Sequence, residues 1–194
     1  AGQTVGEAVV LDFSRHMSAI LDLDPEARTA RVQPGVVQDQ LNRAAAAHGL
    51  MFGPDTSTSN RATIGGMIGN NSAGSGSVRY GMTIDHVREL DVVLSDASTA
   101  RFGPVDAAER ARRADGDSLE ARLYRELPAL VNAHRDAIAT GFPKFWRRAG
   151  GYRLDRLTDS FDLARFVVGS EGTLVVATEA VVGLVPKPTR TVIA

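Results

Sequence analysis

Polar and apolar residues alternate along "RTARVQPG" (Arg28 to Gly35) and the alternation stops at Pro-Gly, which predicts a strand with one buried face. Upstream, the β-branched run "AVVLDF" (Ala8 to Phe13) predicts another strand, with "DPEAR" between the two as a turn. The period then changes: Val37, Leu41 and Ala44 recur at helical spacing between Val36 and His48, and Gly49 follows as a C-cap. Further on, "VRELDVVLSD" (Val87 to Asp96) and "STARFG" (Ser98 to Gly103) predict a hairpin turning near Asp96 and Ala97. Asp117 to Gly141 reads as helical, with Asp117 or Ser118 as N-cap and Pro128 breaking the tract into two pieces. A short helix ends near Gly169, and "TLVVATEAVVGLVP" predicts one strand or a pair. This mixture, without internal repeat, is an α+β fold.

Between the first helix and the hairpin lies a polar tract of some 35 residues with little periodicity, and loops of that length in compact domains are usually functional. Its centre, "TIGGMIGNNSAGSGSVRYG" (Thr63 to Gly81), holds six glycines among Ser and Asn residues. Glycine lets backbone N–H groups surround a phosphate, because no Cβ intervenes. Two familiar phosphate loops fail here. Gly69 and Gly74 have the P-loop spacing, but Ser75 stands in place of the lysine; Gly74-Ser-Gly76 starts a dinucleotide fingerprint, but Arg79 occupies the third glycine position. An anion-cradling loop and a flexible linker both remain compatible with this composition.

Other classes are narrowed by charge and composition. The 194 residues carry 22 Lys and Arg against 23 Asp and Glu, a net of −1, so no basic excess announces a nucleic-acid partner. "RARRAD" (Arg110 to Asp115) reads as a solvated face. Without cysteine the chain holds no disulfide, thiolate zinc site or iron–sulfur cluster of its own, and His16, His48, His86 and His134 are scattered without metal-ligand spacing. His86 reads as structural, and Trp146 and Tyr152 as packing residues. The apolar stretch from Leu174 to Val185 is too short for a membrane span and is interrupted by Glu179, which predicts a soluble domain. The lack of cysteine fits the expectation of a cytoplasmic protein, or one peripheral to the inner membrane face. The opening "AGQTVGEAVVLDF" lacks a methionine and predicts a cut inside a larger protein.

The ordered set PG, PD, TIGG, NSAG, RYG and GSEGTL, spread over nearly the whole chain, resembles the flavin-binding domain of the vanillyl-alcohol-oxidase-like flavoproteins. Within them it is similar to the glycolate-oxidase-subunit and D-lactate dehydrogenase branch. "FWRRAGGYRLDRL" (Phe145 to Leu157) is nearest to the long fused FAD and iron–sulfur D-2-hydroxyacid dehydrogenases. The resemblance implies a two-subdomain, PCMH-type FAD-binding fold whose N-terminal subdomain is truncated. Residues 1–55 would be the remnant of that first subdomain, 56–188 the second subdomain, and 189–194 the start of a linker to a substrate domain.

The resemblance also implies the site. Residues on cofactor-lining motif positions are Pro34, Gly35, Pro54, Asp55, Thr58, Thr63, Gly65, Gly66, Asn71, Ser72, Ala73, Gly74, Glu171, Gly172, Thr173 and Val175. Backbone amides between Thr63 and Gly74 would hold the FAD diphosphate, with half of the cradle missing, so the piece as given is expected to be largely free of FAD. Arg148 falls near the substrate and would hold its carboxylate. The implied reaction is hydride transfer from C2 of a D-2-hydroxy acid, such as D-lactate, glycolate or D-2-hydroxyglutarate, to flavin N5. No catalytic residue or metal ligand is expected here, and the proton-accepting base and any iron–sulfur cluster would lie in other domains. The electron acceptor is left open. Alternatives are the same fold acting on a sugar or aldonolactone, and a flavin-free scaffold module. An uncovered apolar patch near Val9 to Phe13 and Val32 predicts self-association of the piece.

Overall fold

In the computed structural model, which describes residues 6–158 and 160–189, a five-stranded sheet carries the chain's alternating segments. Strand β1 (Ile20–Asp24) pairs with β2 (Thr29–Val32), β2 with β6 (Val176–Gly183), β6 with β4 (Val87–Val93), and β4 with β5 (Thr99–Phe102), every pair antiparallel. Alternation decides the faces. Ala30, Val32, Leu90, Val92, Ala100, Phe102, Ala180 and Val182 are buried on one side, where α8 (Leu163–Val167) lies against β4. The other side carries a charge network: Arg31 reaches Asp91 at 2.8 Å, Glu179 at 3.2 Å and Glu89 at 3.3 Å, and Arg101 binds Asp91 at 2.6 Å. Partly solvated pairs of this kind stabilise only weakly, so the apolar face is what holds the sheet in place.

The first expected strand is absent. Residues Ala8 to Phe13 form no strand, and Val9 is 86% exposed; the partner of β2 across the 25–28 turn is β1. β-branched composition favours a pleated, half-buried surface, and among the described residues no strand lies beside residues 8–13 to supply one. The expected patch shrinks accordingly: Val9, Val10 and Leu11 are exposed, but Val32 is fully buried against the core. The hairpin 20–32 completes the sheet made by residues 87–183, so residues on both sides of position 55 share one sheet.

Helix α1 (Gln38–Ala46) ends before Gly49, whose φ of +68° takes the left-handed turn out of the helix. Strand β3 (Leu50–Met51) follows and pairs with β7 (Val185–Pro186). The long polar tract is more ordered than its lack of period predicts. It contains three short helices, α2 (Ile64–Gly69), α3 (Ser77–Tyr80) and α4 (Thr83–His86), each too short to display a helical period. Beyond the β4–β5 hairpin, α5 (Ala107–Arg113) leads to α6 (Leu119–Ala133), capped by Ser118, and α7 (Arg135–Gly141).

Pro128 does not break α6, which runs through it and stops at His134, six residues later. The proline removes one helical hydrogen bond, but burial of Tyr124 and Val131 on either side, with Tyr124 packed on Phe161 at 5.5 Å, keeps the turn in place.

Candidate functional site

Two loops and one short helix meet beside the sheet. Thr63 caps α2 through its Oγ1, which accepts from the Gly66 N–H at 3.3 Å. The other end of α2 is closed by the Gly169–Gly172 loop: the N–H of Gly169 donates to the Ile68 carbonyl and that of Glu171 to the Gly69 carbonyl, both at 2.9 Å. These two bonds satisfy carbonyls that a helix C-terminus leaves open, and they bring the GSEGT and TIGG segments together.

Glycine makes the packing possible. A Cβ on Gly65 would lie 2.6 Å from the Pro34 side chain, one on Gly74 would overlap the Asp55 carbonyl, and one on Gly76 would overlap the Gly53 carbonyl. Much of the bare backbone therefore serves the contact of chain with chain. At Gly69 and Gly172, by contrast, a Cβ would meet nothing within 4 Å.

A cleft of about 760 Å³ opens between these loops, within the size range of cofactor sites. Asp55, Thr58, Asn71, Ser72, Ala73, Gly74 and Glu171 border it, joined by Thr56, Ser57, Asn70, Ser75, Trp146 and Arg147. A narrower, largely apolar groove of about 340 Å³ is bordered by Pro34, Gly65, Gly172 and Val175, and Glu171 borders both. Five of the cofactor-motif residues border neither. Gly35 packs under Phe13 and Met17, Pro54 is buried, Thr63 and Gly66 open α2, and Thr173 binds the Ser170 carbonyl and the Tyr152 hydroxyl.

Backbone strain concentrates here. Among the described residues, five non-glycine residues have positive φ; Arg28 and Ala97 sit in hairpin turns, and the other three are Asp55 (47°), Asn71 (49°) and Glu171 (54°), all on the cleft. Such conformations cost free energy and persist where the surroundings impose them, commonly at binding sites.

The donor set suits an anion with hydroxyl groups. The backbone N–H groups of Ser57, Thr58 and Ala73 make no hydrogen bond among the described residues, and Arg147 makes no ion pair among them. Asp55 and Glu171 offer carboxylates to hydroxyl or N–H donors. The start of α2 is not available in the same way, because the N–H groups of Ile64 and Gly65 donate to the Val36 and Pro34 carbonyls at 2.8 Å and that of Gly66 to Thr63. An FAD, with its diphosphate and polyol, fits this mixture.

Arg148 is engaged elsewhere. Its Nη2 donates to Asp155 at 2.8 Å, its guanidinium lies over the Phe142 ring at 5.9 Å, and it borders a second groove of about 550 Å³ together with Ile138, Phe142 and Arg153. Burial opposes ionisation of Asp155, but the hydrogen bond from Arg153 and the charges of Arg153, Arg148 and Arg156 outweigh it and hold the carboxyl below its ordinary range. His86 is structural: it is buried, with Nε2 at 2.9 Å from the Tyr80 carbonyl and Nδ1 at 3.2 Å from that of Gly183. Trp146 is 54% exposed and borders the cleft, whereas Tyr152, 44% exposed, packs its ring against Phe166 at 6.1 Å between centroids. Trp146 and Arg147 are cleft residues that spacing alone does not reveal, since the stretch that carries them has no period. Among the described residues, no group of three or more His, Asp or Glu is placed to hold a metal, and no helix is long and apolar enough to cross a membrane.

Comparison with known proteins bears on this cleft. A family model described as "FAD binding domain" matches residues 1–103. The chain is 40% identical over 191 residues to the D-2-hydroxyglutarate dehydrogenase of Pantoea ananatis, covering 96% of this chain and 19% of that protein. It is 36% identical over 174 residues to the glycolate oxidase subunit GlcD of Bacillus subtilis, covering 90% and 27%. With the D-lactate dehydrogenase of Anaerostipes hadrus the identity is 24%, covering 95% and 28%. Among solved structures, an alkyldihydroxyacetonephosphate synthase superposes with a TM-score of 0.55 at 20% identity, over 91% of this chain and 23% of that one, a likeness of fold. The chain thus spans between 19% and 28% of the length of these relatives.

Proposed function

Because the chain belongs to the FAD-binding domain family, we propose that its cleft holds FAD and that it is the flavin module of an oxidoreductase acting on a D-2-hydroxy acid. The observation that carries this reading is the gathering of Asp55, Asn71 and Glu171, all in left-handed conformations, around a cleft with open amides at Ser57, Thr58 and Ala73. Bound flavin supplies the acceptor for the substrate hydride. The chain's own residues bind and orient. In this reading the Ser57, Thr58 and Ala73 amides take the diphosphate, Asp55 and Glu171 take hydroxyl groups, and Gly69, Gly172 and Val175 leave room in the adjoining groove.

The substrate carboxylate is assigned to Arg148, which keeps its ion pair with Asp155, while Arg147, free of ion pairs among the described residues and bordering both the cleft and the groove beside Arg148, adds its positive charge to the FAD cleft. The substrate class follows the names of the relatives: D-2-hydroxyglutarate, glycolate and D-lactate. The base that takes the hydroxyl proton, and any iron–sulfur cluster, belong outside these 194 residues in this reading, which also places the protein in the cytoplasm or at the inner membrane face. The exposed Val9, Val10 and Leu11 make the isolated chain prone to associate, which sedimentation equilibrium measures directly.

Titration of the purified chain with FAD, read by flavin absorbance and by quenching of Trp146, tests the proposal. Saturable binding that is weak enough to be lost on gel filtration is the expected result. Absence of any saturable change, here and in longer forms of the protein, sinks the flavin reading and favours a scaffold role.

A further inference from the structure

Residues 142–153 cross one wall of the cleft without forming helix or strand, and Phe145 and Trp146 on this stretch are 63% and 54% exposed. Trp146, Arg147 and Ala149 nevertheless border the cleft, so the stretch is held there by particular contacts. Most of its polar bonds run away from the cleft, as from Arg148 to Asp155 and from Lys144 to the Ala139 carbonyl. On the cleft side, Nδ2 of Asn71 donates to the Arg148 carbonyl at 3.2 Å.

Asn71 is 1% exposed, and its Oδ1 accepts from the Ile84 N–H at 3.0 Å. That bond decides which way round the amide lies: the oxygen must face the Ile84 donor, so the NH₂ group must face the Arg148 carbonyl. One side chain therefore ties together the end of α2, the start of α4 and the irregular wall. Its polar atoms are engaged within the protein.

We propose that Asn71 is a positioning residue whose amide latches residues 146–149 along the cleft, presenting Arg147 and Trp146 to a ligand as a preordered wall. The ligand half of this inference rests on the FAD reading; the latch itself does not. With the latch open, Arg147 and Trp146 would have to be ordered at the moment of binding, which lowers affinity.

Trp146 is the only tryptophan in the chain, so its fluorescence reports on this wall alone. Asn71→Asp keeps shape and the acceptor for Ile84 but sets a carboxylate against the Arg148 carbonyl. At neutral pH the expected result is a folded variant with a higher acrylamide quenching constant for Trp146 than the unaltered protein. FAD binding should weaken about tenfold, the size of one lost hydrogen bond. Acidification protonates the new buried carboxyl, whose pKa burial raises, and restores an O–H donor, so quenching should return toward that of the unaltered protein. A general loosening would not reverse in this way.

Asn71→Gly keeps the left-handed backbone without strain and removes the latch, and it serves where the aspartate variant does not fold. It should show the same rise with no reversal in acid. Unchanged Trp146 quenching at neutral pH in either folded variant overturns the latch. If the latch opens but neither the unaltered chain nor a longer form of the protein binds FAD, the latch stands and the flavin reading falls. If FAD binds and neither variant changes quenching or affinity, the reading stands and the latch falls.

Discussion

Gly74 lies on the backbone of Asp55 so closely that a Cβ on it would overlap the Asp55 carbonyl oxygen, and the two residues border the same cleft. The obstacle is backbone, which cannot swing aside as a side chain can. Gly74→Ala is therefore expected to destabilise by about 1–3 kcal/mol through overpacking. Gly69→Ala is the contrasting case. Its methyl group meets open space at the last residue of α2, so stability should hold or rise by up to about 1 kcal/mol. FAD affinity should nevertheless fall, because that methyl enters the groove. Thermal unfolding and FAD titration of both variants separate the two kinds of glycine, and equal melting temperatures for them would contradict the packing argument.

The two adjacent arginines should respond differently. Arg147→Ala touches no ion pair among the described residues, so stability should stay within about 0.5 kcal/mol while FAD affinity and its salt dependence both decrease. Arg148→Ala removes a partner of Asp155 and the cation over Phe142, and a loss of about 1–3 kcal/mol is expected. Denaturant unfolding beside titrations at two ionic strengths reads both effects.

Asp155 ties this wall to acid stability. Its pKa in the folded chain lies below the ordinary 3.8, so its contribution is fully present above that value and is lost as pH falls through the folded pKa. Asp155→Asn should remove this part of the acid limb. It should also cost about 3 kcal/mol near neutrality, because it strips the buried Arg153 of its carboxylate. A stability profile with the same acid limb in both proteins would show that Asp155 is not its source.

His86 titrates in a different window. Burial lowers its pKa below the ordinary 6.5 against the raising influence of the Gly183 and Tyr80 carbonyls and of Asp85. The unfolded chain thus binds a proton more readily. Stability should be full above about pH 6.5 and decline as pH falls toward the folded pKa. His86→Asn, which keeps one N–H donor and does not titrate, should flatten that decline. Chemical denaturation at a series of pH values checks it, and an unaltered slope in the variant would rule His86 out.

Several elements were legible along the chain because they are local. Strand β2, the β4–β5 hairpin and α1 with its glycine exit follow from alternation, turn chemistry and helical spacing within ten or so residues. Where tertiary packing competes with local preference, the reading from sequence failed. Residues 8–13 have strand composition but no strand partner among the described residues, Pro128 sits inside α6 held by Tyr124 and Val131, and α2 to α4 are too short to show a period.

By itself the sequence determined an α+β fold and, through the order of its PG, PD, TIGG, NSAG and GSEGTL segments, membership in the FAD-binding domain family. Only the tertiary structure decided which motif residues face a ligand and which face the chain. Gly65, Gly74 and Gly76 look alike in sequence to Gly69, yet the first three pack against backbone or proline and the last faces open space. Likewise Arg147 and Arg148 are neighbours of the same kind, and only the placement of Asp155 engages one of them in an ion pair. The physical reason is that hydrogen bonding and close packing act between segments distant in sequence, and composition records the capacity for such contacts without recording the partner.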